Sequence, residues 1–298
     1  MPDGALSIIR RAAQHDSGLP LCGHLDVSFV KRGNRTRMTV LKQEPPWRVI
    51  RAFDNAESQA VLHLHNVSGG ILSGDSLYLS IEAGPGTCVQ ITSVGATKIH
   101  RARCNSSPSK VCTSIRVGDG AMLEYLPDAT IPFGGSRFHQ CAVVTLGSNA
   151  GLVWWEILSA GRVAKGEEFE FEVFSSDCVI RSENRPLALE RYSLRPRTHN
   201  LCSVSRWSRF RYTATLYVCR TGVGQKEWIG LERHLNDLAF SMSSEMARWG
   251  VSALIADGLV IRGLALEAHH IFMGLYEFWA HAKQDVWGKP AIPPRKIN

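Results

Sequence analysis

Residues Leu62 to Lys98, LHLHNVSGGILSGDSLYLSIEAGPGTCVQITSVGATK, leave little choice of architecture. Two short apolar strands and three glycine-bearing turns fill a span too short for a sheet covered by helices. Leu77, Leu79, Ile81 and Ala83 alternate with Tyr78, Ser80 and Glu82, the period of a half-buried strand. Ser68-Gly69-Gly70 and Ser73-Gly74-Asp75 supply the tight-turn positions that a Cβ would obstruct. Gly84-Pro85-Gly86 then turns the chain into a second strand through Val89 and Ile91, which ends at Gly95-Ala96-Thr97-Lys98.

A weak repeat extends this pattern. The turns Gly84-Pro85-Gly86, Gly118-Asp119-Gly120 and Gly147 to Gly151 each open an apolar strand (TCVQITSV, AMLEYLPD, LVWWEILS). Nine positions after each turn come Gly95, Ala129 and Ala160, which begin the corners GATK, ATIP and AGRV. Equal strand and corner lengths predict hairpins stacked as a β-solenoid or layered sheets. Three imperfect copies leave coincidence among turn-rich strands open, and either way the middle is all-β.

The rest of the chain frames that body. Residues 1–21 read as a flexible tail, 22–226 as the all-β body, and 227–298 as a helical part with an extended tail, packed on the body as one domain. Leu25, Val27 and Phe29 lead through Lys31 to Asn34 into Met38 to Leu41, a hairpin. Phe169 to Val173, Val179 to Arg181 and Tyr212 to Val218 read as further strands. Trp228, Leu231, Leu235, Leu238, Met242, Met246 and Trp249 recur at helical spacing. A hairpin through Asp257-Gly258 follows, then a second helix from Leu266 to about Val286 that is apolar round much of its circumference and so is expected to be buried or held against a partner.

At 298 residues the chain can bury a substantial core. No apolar run reaches membrane-spanning length and the first residues lack a secretory h-region, which predicts a cytoplasmic protein without a membrane partner. Eight cysteines without a C-x-x-C spacing read as reduced thiols. A net charge of +7 suits an acidic partner. The single basic cluster, Arg195 to Arg211 with Trp207, Phe210 and Tyr212 as stacking surfaces, supports the alternative of a nucleic-acid-binding β-protein.

The chain carries no Walker loop, dinucleotide fingerprint, nucleophile elbow or H-E-x-x-H, which lowers the prior for catalysis. His63 and His65 share a strand face and, with Asp75, are the candidates for a metal site or a metal-dependent hydrolase; ordinary strand histidines are the plainer reading. His269 and His270 lie about a hundred degrees apart on a helix, which predicts that they do not chelate together. Asp75, Glu124, Glu156 and Glu190 sit in apolar or glycine-rich surroundings. They either cap turns and pair with Lys98, Arg162 or Arg191, or form a polar path through the interior.

Taken together, several ordered segments resemble the UreD family of urease accessory proteins, called UreH in some organisms. They are GHLDVSFVKRGNRTRMTVL (Gly23 to Leu41), LHNVSGGILSGD (Leu64 to Asp75), TSVGATKIHRA (Thr92 to Ala102), LEYLPDATIPFGGS (Leu123 to Ser136), WEILSAGRVAKGEEF (Trp155 to Phe169) and GKPAIPPRKIN at the C-terminus. The chain departs from the family pattern at Asn66-Val67-Ser68, at Ile99-His100 and at Tyr125 to Thr130.

The resemblance implies a mostly β scaffold without enzymatic activity. Such a scaffold would bind the urease apoprotein and UreF, would meet the GTPase UreG through UreF, and would pass nickel through its body without a tightly bound cofactor. Asp75, Glu156 and Glu190 are then the expected nickel path. Structural or contact roles fall to the family-motif positions: His65, Gly69, Gly70 and Gly74; Gly95, Ala96, Thr97 and Lys98; Glu124, Leu126 and Pro127; Gly161 and Arg162; and Pro293, Pro294 and Arg295. The apolar surface of the C-terminal helices and tail is the expected UreF contact.

Overall fold

The structure, a computed structural model, describes residues 20–55, 58–182 and 185–294. Most of the expected N-terminal tail, and Arg295, lie outside these. Among the described residues the first elements are a hairpin of β1 (Cys22–Arg32) and β2 (Arg35–Gln43), followed by the short β3 (Trp47–Arg48) and β4 (Phe53–Asp54). Next come β5 (Ala60–Asn66), β6 (Ser76–Ala83), β7 (Cys88–Ser93), β8 (Thr97–Ile99), β9 (Ser109–Val117) and β10 (Met122–Tyr125). They continue as β11 (Thr130–Pro132), β12 (Arg137–Leu146), β13 (Gly151–Ser159), β14 (Val173–Ser182), β15 (Pro186–Leu194) and β16 (Tyr212–Arg220). Helix α1 (Gln225–Met242), the hairpin β17 (Ala247–Ala253) and β18 (Gly258–Ala265), and helix α2 (Ala268–Trp287) complete the fold.

From β5 to β14 the long strands alternate between two sheets, so each coil of the chain contributes one strand to each. The first sheet has the order β15-β14-β12-β9-β6-β1-β2, and the second β17-β18-β16-β13-β10-β7-β5-β3. Neighbours from consecutive coils are parallel, as in β6–β9–β12–β14 and β5–β7–β10–β13. This is the stacked, solenoid-like body, built of two-sheet coils rather than hairpins. Antiparallel strands flank the parallel part at every end, and beside β5 they are the short β3 and β4.

The glycine turns form a ladder along one end. Gly84 N–H donates to the Phe29 carbonyl, Gly118 to Ala83 and Gly147 to Val117. The Cβ of any residue at Gly84 or Gly118 would stand within 3 Å of the neighbouring coil's backbone, so close stacking demands glycine there. The repeat's third copy is offset: Cys88 and Met122 pair with Gly151 in one row, so Gly151 aligns two residues beyond Gly86 and Gly120. At the opposite corners, β8 pairs with β11 through Thr97 and Thr130.

Two apolar layers follow from this topology. Between the sheets lie Phe29, Leu62, Ile81, Ile91, Val117, Leu123, Val144, Leu152 and Trp154. Behind the second sheet, α1 and α2 bury Trp228, Leu235, Leu275, Phe278 and Trp279 against Val153, Trp155, Leu216 and Ile261. Strand β13 is covered on both faces and therefore lacks alternation, with Glu156 its one charged residue. Most of the apolar circumference of α2 is thus satisfied inside the chain, and among the described residues the large exposed apolar side chains of the C-terminal part are Ile229, Phe240, Ile255 and Met273.

Two sequence expectations are corrected. Helix α1 stops at Met242, and Met246 and Trp249 belong to a turn and a strand. Trp249 instead lays its indole over Gly263 and Gly274 and against Phe278. A helix-interior Gly→Ala change usually stabilises by about 1 kcal/mol. Gly274→Ala is expected to reverse that sign and destabilise by about 1–3 kcal/mol, because its Cβ would collide with the Trp249 ring; thermal unfolding reads the difference. The second correction is Phe169 to Glu172, which is not strand. Phe169 has φ +56° and turns the chain onto Trp207, and its N–H donates to the Ala160 carbonyl. Alternation there reflects packing of Phe169 and Phe171 in a corner.

Candidate functional site

A cavity of about 280 Å³ lies between the two sheets. Its wall includes the turns Gly69-Gly70 and Gly95 to Lys98 at one end, and Gln140, Trp154, Glu156, Tyr192 and Thr215 within. Gly70 is held at φ +153°, where a Cβ would meet the His100 ring and the Lys98 carbonyl. The Ser68 hydroxyl donates to the Gly70 carbonyl (2.6 Å), and Ile71 N–H donates to the Lys98 carbonyl. The two turns are thereby tied to each other at the edge of the cavity.

Glu156 enters this space because β13 alternates about the sheet: Trp154, Glu156 and Leu158 face the other sheet while Trp155 and Ile157 face the helices. Gln140 Nε2 donates to Glu156 Oε2 (3.2 Å) and to the Ser176 hydroxyl (3.0 Å). Glu156 makes no ion pair among the described residues. Burial, and then the charge of Glu190, push its carboxyl up to about 7. Glu190, on the edge strand β15, is satisfied differently: it accepts from the Tyr217 hydroxyl and pairs with Arg262, closing the edge of one sheet onto the other. Burial and the Glu190 hydrogen bond raise the Tyr217 phenol far above its ordinary value.

Asp75 does not line the cavity. Its Oδ2 accepts the Leu72 N–H at 2.8 Å, closing the turn that follows the cavity-lining Gly69 to Ile71. It is 3% exposed, and burial raises its carboxyl, opposed by the backbone hydrogen bonds. Of the two readings for this residue, turn capping describes the geometry. His63 and His65 share the expected face of β5, with His63 set edge-on to Phe53, but their donors do not converge with Asp75. Burial and the neighbouring His63 lower the pKa of His65.

Among the described residues, the group of three or more His, Cys, Asp and Glu donors within 4.8 Å of one another is Glu267, His269 and His270. The two histidine rings thus lie closer together than their offset of about a hundred degrees along the helix implies. Both stand in the first turn of α2, where no preceding turn crowds them, and their ring centroids come to 3.8 Å. The positive end of the helix macrodipole at this place opposes a cation.

The most enclosed charge is one whose partner the sequence did not reveal. Glu124 is fully buried and pairs with Lys283 of α2 at 2.7 Å, itself 2% exposed. Gln59 (2.8 Å) and Gln90 (2.9 Å) donate to the second carboxylate oxygen, and Trp279 Nε1 (3.0 Å) to the first. Gln90 also donates to the Ile292 carbonyl, which fastens the C-terminal tail beside the pair. None of the expected partners, Lys98, Arg162 or Arg191, reaches Glu124, Glu156, Glu190 or Asp75. Arg162 pairs with Glu167 and lies over Phe133, and Arg191 pairs with Asp177. A lysine four residues after Trp279 on the apolar face of α2 was the available signal.

The other motif positions are structural in their contacts. Leu126 is buried, and the Pro127 carbonyl accepts from Trp155 Nε1 at 2.8 Å. Gly161 has φ +151° and lies against the Glu167 carbonyl, and Gly74 has φ +85°. Pro294 is buried and Pro293 exposed.

The family described as UreD urease accessory protein matches residues 22–298. The chain belongs to the UreD family. A urease accessory protein UreD of Herpetosiphon aurantiacus is 38% identical over 278 residues, covering 92% of this chain and 96% of that one. The UreD of Dechloromonas aromatica is 31% identical over 278 residues (92% and 93%), and that of Photorhabdus laumondii 29% over 272 (89% and 83%). The UreD match begins where β1 begins, and so takes in both sheets and both helices. Of the three stacking residues of the nucleic-acid alternative, Trp207 and Phe210 are each only 7% exposed and Tyr212 is half-buried, and Arg209 and Arg211 pair with Glu245 and Glu168. No helix among the described residues is long and apolar enough to cross a membrane.

Proposed function

We propose that this UreD-family chain is a non-catalytic cytoplasmic scaffold of urease maturation. In this reading it binds the urease apoprotein and UreF, meets UreG through UreF, and passes nickel(II) along its interior as cargo rather than as a resident cofactor. The observation that carries the reading is Glu156, a carboxylate in the cavity between the sheets with an amide donor and no cation partner. A pathway needs oxygen ligands that are accessible and exchangeable, and a carboxylate already neutralised by arginine serves poorly. Glu156 therefore holds the central place in the path. Glu190, occupied by Arg262 and Tyr217, bounds it, and Asp75 acts through the turn that carries Gly69 to Ile71. With the helical apolar faces consumed by packing, a UreF contact would draw on exposed Phe240 and Ile255.

The test is co-purification of the chain with urease subunits and UreF, followed by nickel-dependent urease activation with and without it. Assembly and activation are expected to depend on the chain. Glu156→Gln is expected to assemble normally and to lose most of the activation, and Asp75→Asn, which keeps an acceptor for Leu72, to lose less. Full activation by Glu156→Gln would remove the path, and failure to bind either partner would remove the scaffold.

A further inference from the structure

Cys112 and Cys141 occupy directly paired positions on the adjacent parallel strands β9 and β12, and the Cys141 thiol donates to the Cys112 sulfur at 2.7 Å. Val111, Thr113, Phe138, Gln140, Cys141 and Ala142 of these strands border the cavity. Strand alternation turns the two thiols to the outer face of this wall, the face of the exposed Ser114 and Arg116, opposite the buried Ile115 and Val117. The row across that face runs His24, Tyr78, Cys112, Cys141, Asp177 and Arg191. Each cysteine is 5% exposed, so a water-sized reagent is better matched to the site than a bulky one.

We propose that Cys112 and Cys141 are a redox-responsive dithiol that hydrogen peroxide closes to a disulfide across the outer wall of the cavity. The chemistry balances with the peroxide as the only co-reactant. The Cys112 thiolate attacks one peroxide oxygen; an S–O bond forms as the O–O bond breaks, and hydroxide leaves to take up the Cys112 proton. The Cys141 sulfur then attacks the sulfenic sulfur; the S–S bond forms as S–O breaks, and the second oxygen leaves as water with the Cys141 proton. Two sulfurs together lose two electrons, and one peroxide becomes two waters.

The order of attack follows from the hydrogen bond. Donation from Cys141 pushes the Cys112 thiol down against the effect of burial, whereas acting as the donor, together with burial and the charge of Asp177, pushes Cys141 up; Lys110 lowers both. Bond formation needs the sulfurs to close by only ~0.7 Å to reach disulfide length. The remaining thiols lack such a facing partner: Cys22, Cys104 and Cys202 are exposed, and no sulfur–sulfur hydrogen bond other than that of Cys112 and Cys141 occurs among the described residues.

Peptide mapping of the unsubstituted chain after hydrogen peroxide, with alkylation in denaturant and no reductant, tests this. The expected product is a linked pair of peptides carrying Cys112 and Cys141, with two alkylatable thiols lost and both restored by dithiothreitol. Cys141→Ser is expected to leave Cys112 as a sulfenic acid that dimedone traps, and Cys112→Ser to leave Cys141 a free thiol. Cys112 and Cys141 both remaining alkylatable while Cys22, Cys104 or Cys202 oxidises would overturn the proposal, as would a link from Cys112 to any other cysteine.

Discussion

Replacing Lys283 with methionine is expected to cost the fold about 3–5 kcal/mol, the effect of leaving one member of a buried ion pair uncompensated. The methionine fits the space, so the loss isolates charge from volume. Glu124 would keep its donors Gln59, Gln90 and Trp279 but would hold an unpaired negative charge in a site that excludes water. The double change Lys283→Met with Glu124→Gln is expected to recover most of the loss, because a neutral amide no longer needs a cation. Denaturant midpoints of the three proteins measure this. A single variant as stable as the parent would mean that the pair contributes nothing the hydrogen bonds do not. The consequence reaches beyond stability: the pair joins β10 to α2, and Gln90 passes the link to the tail at Ile292.

Glu156→Gln is expected to act in the opposite direction, stabilising the chain by about 1–3 kcal/mol at pH 8. The sign follows from the direction of its shift. Folding raises the carboxyl from an ordinary value of 4.5 to about 7, so the folded state favours the proton. Below about pH 4.5 the group is protonated in both states and costs nothing; the penalty grows as pH rises through that window and is complete above about pH 7. The lower figure allows for screening by solvent. The stability difference between Glu156→Gln and parent should therefore vanish near pH 4.5 and level off above pH 7. A flat difference across that range would contradict the burial argument. Nickel(II) should stabilise the parent and not the variant, because a bound cation offsets the cost of the buried carboxylate. A variant that is more stable yet poorer in urease activation would separate function from folding.

Much of the fold was legible because strands announce themselves locally. The alternation of Leu77 to Ala83 and the glycines at Gly84, Gly118 and Gly147 reported a half-buried strand and stacked turns, since backbone contact between coils forbids a Cβ there. Helix α1 was read too long because Trp249 keeps helical spacing from Leu238 and Met242 while packing from a strand onto Gly274. Periodicity records which residues are buried, not which element buries them. Phe169 to Glu172 misled for the same reason.

The candidate site divides along the same line. The sequence by itself determined that this is a β protein with regularly spaced glycine turns, that Glu124 and Glu156 sit among apolar sequence neighbours, and which family it resembles, because residue type and spacing carry those facts. Only the tertiary structure decided which carboxylate meets a cation. Lys283 reaches Glu124 across 159 residues of chain and Arg262 reaches Glu190 across 72, while Glu156 accepts from an amide and pairs with no cation among the described residues. Charge pairing is settled by distance in space, and here that distance is fixed by the packing of α2 on the second sheet and of one sheet's edge on the other.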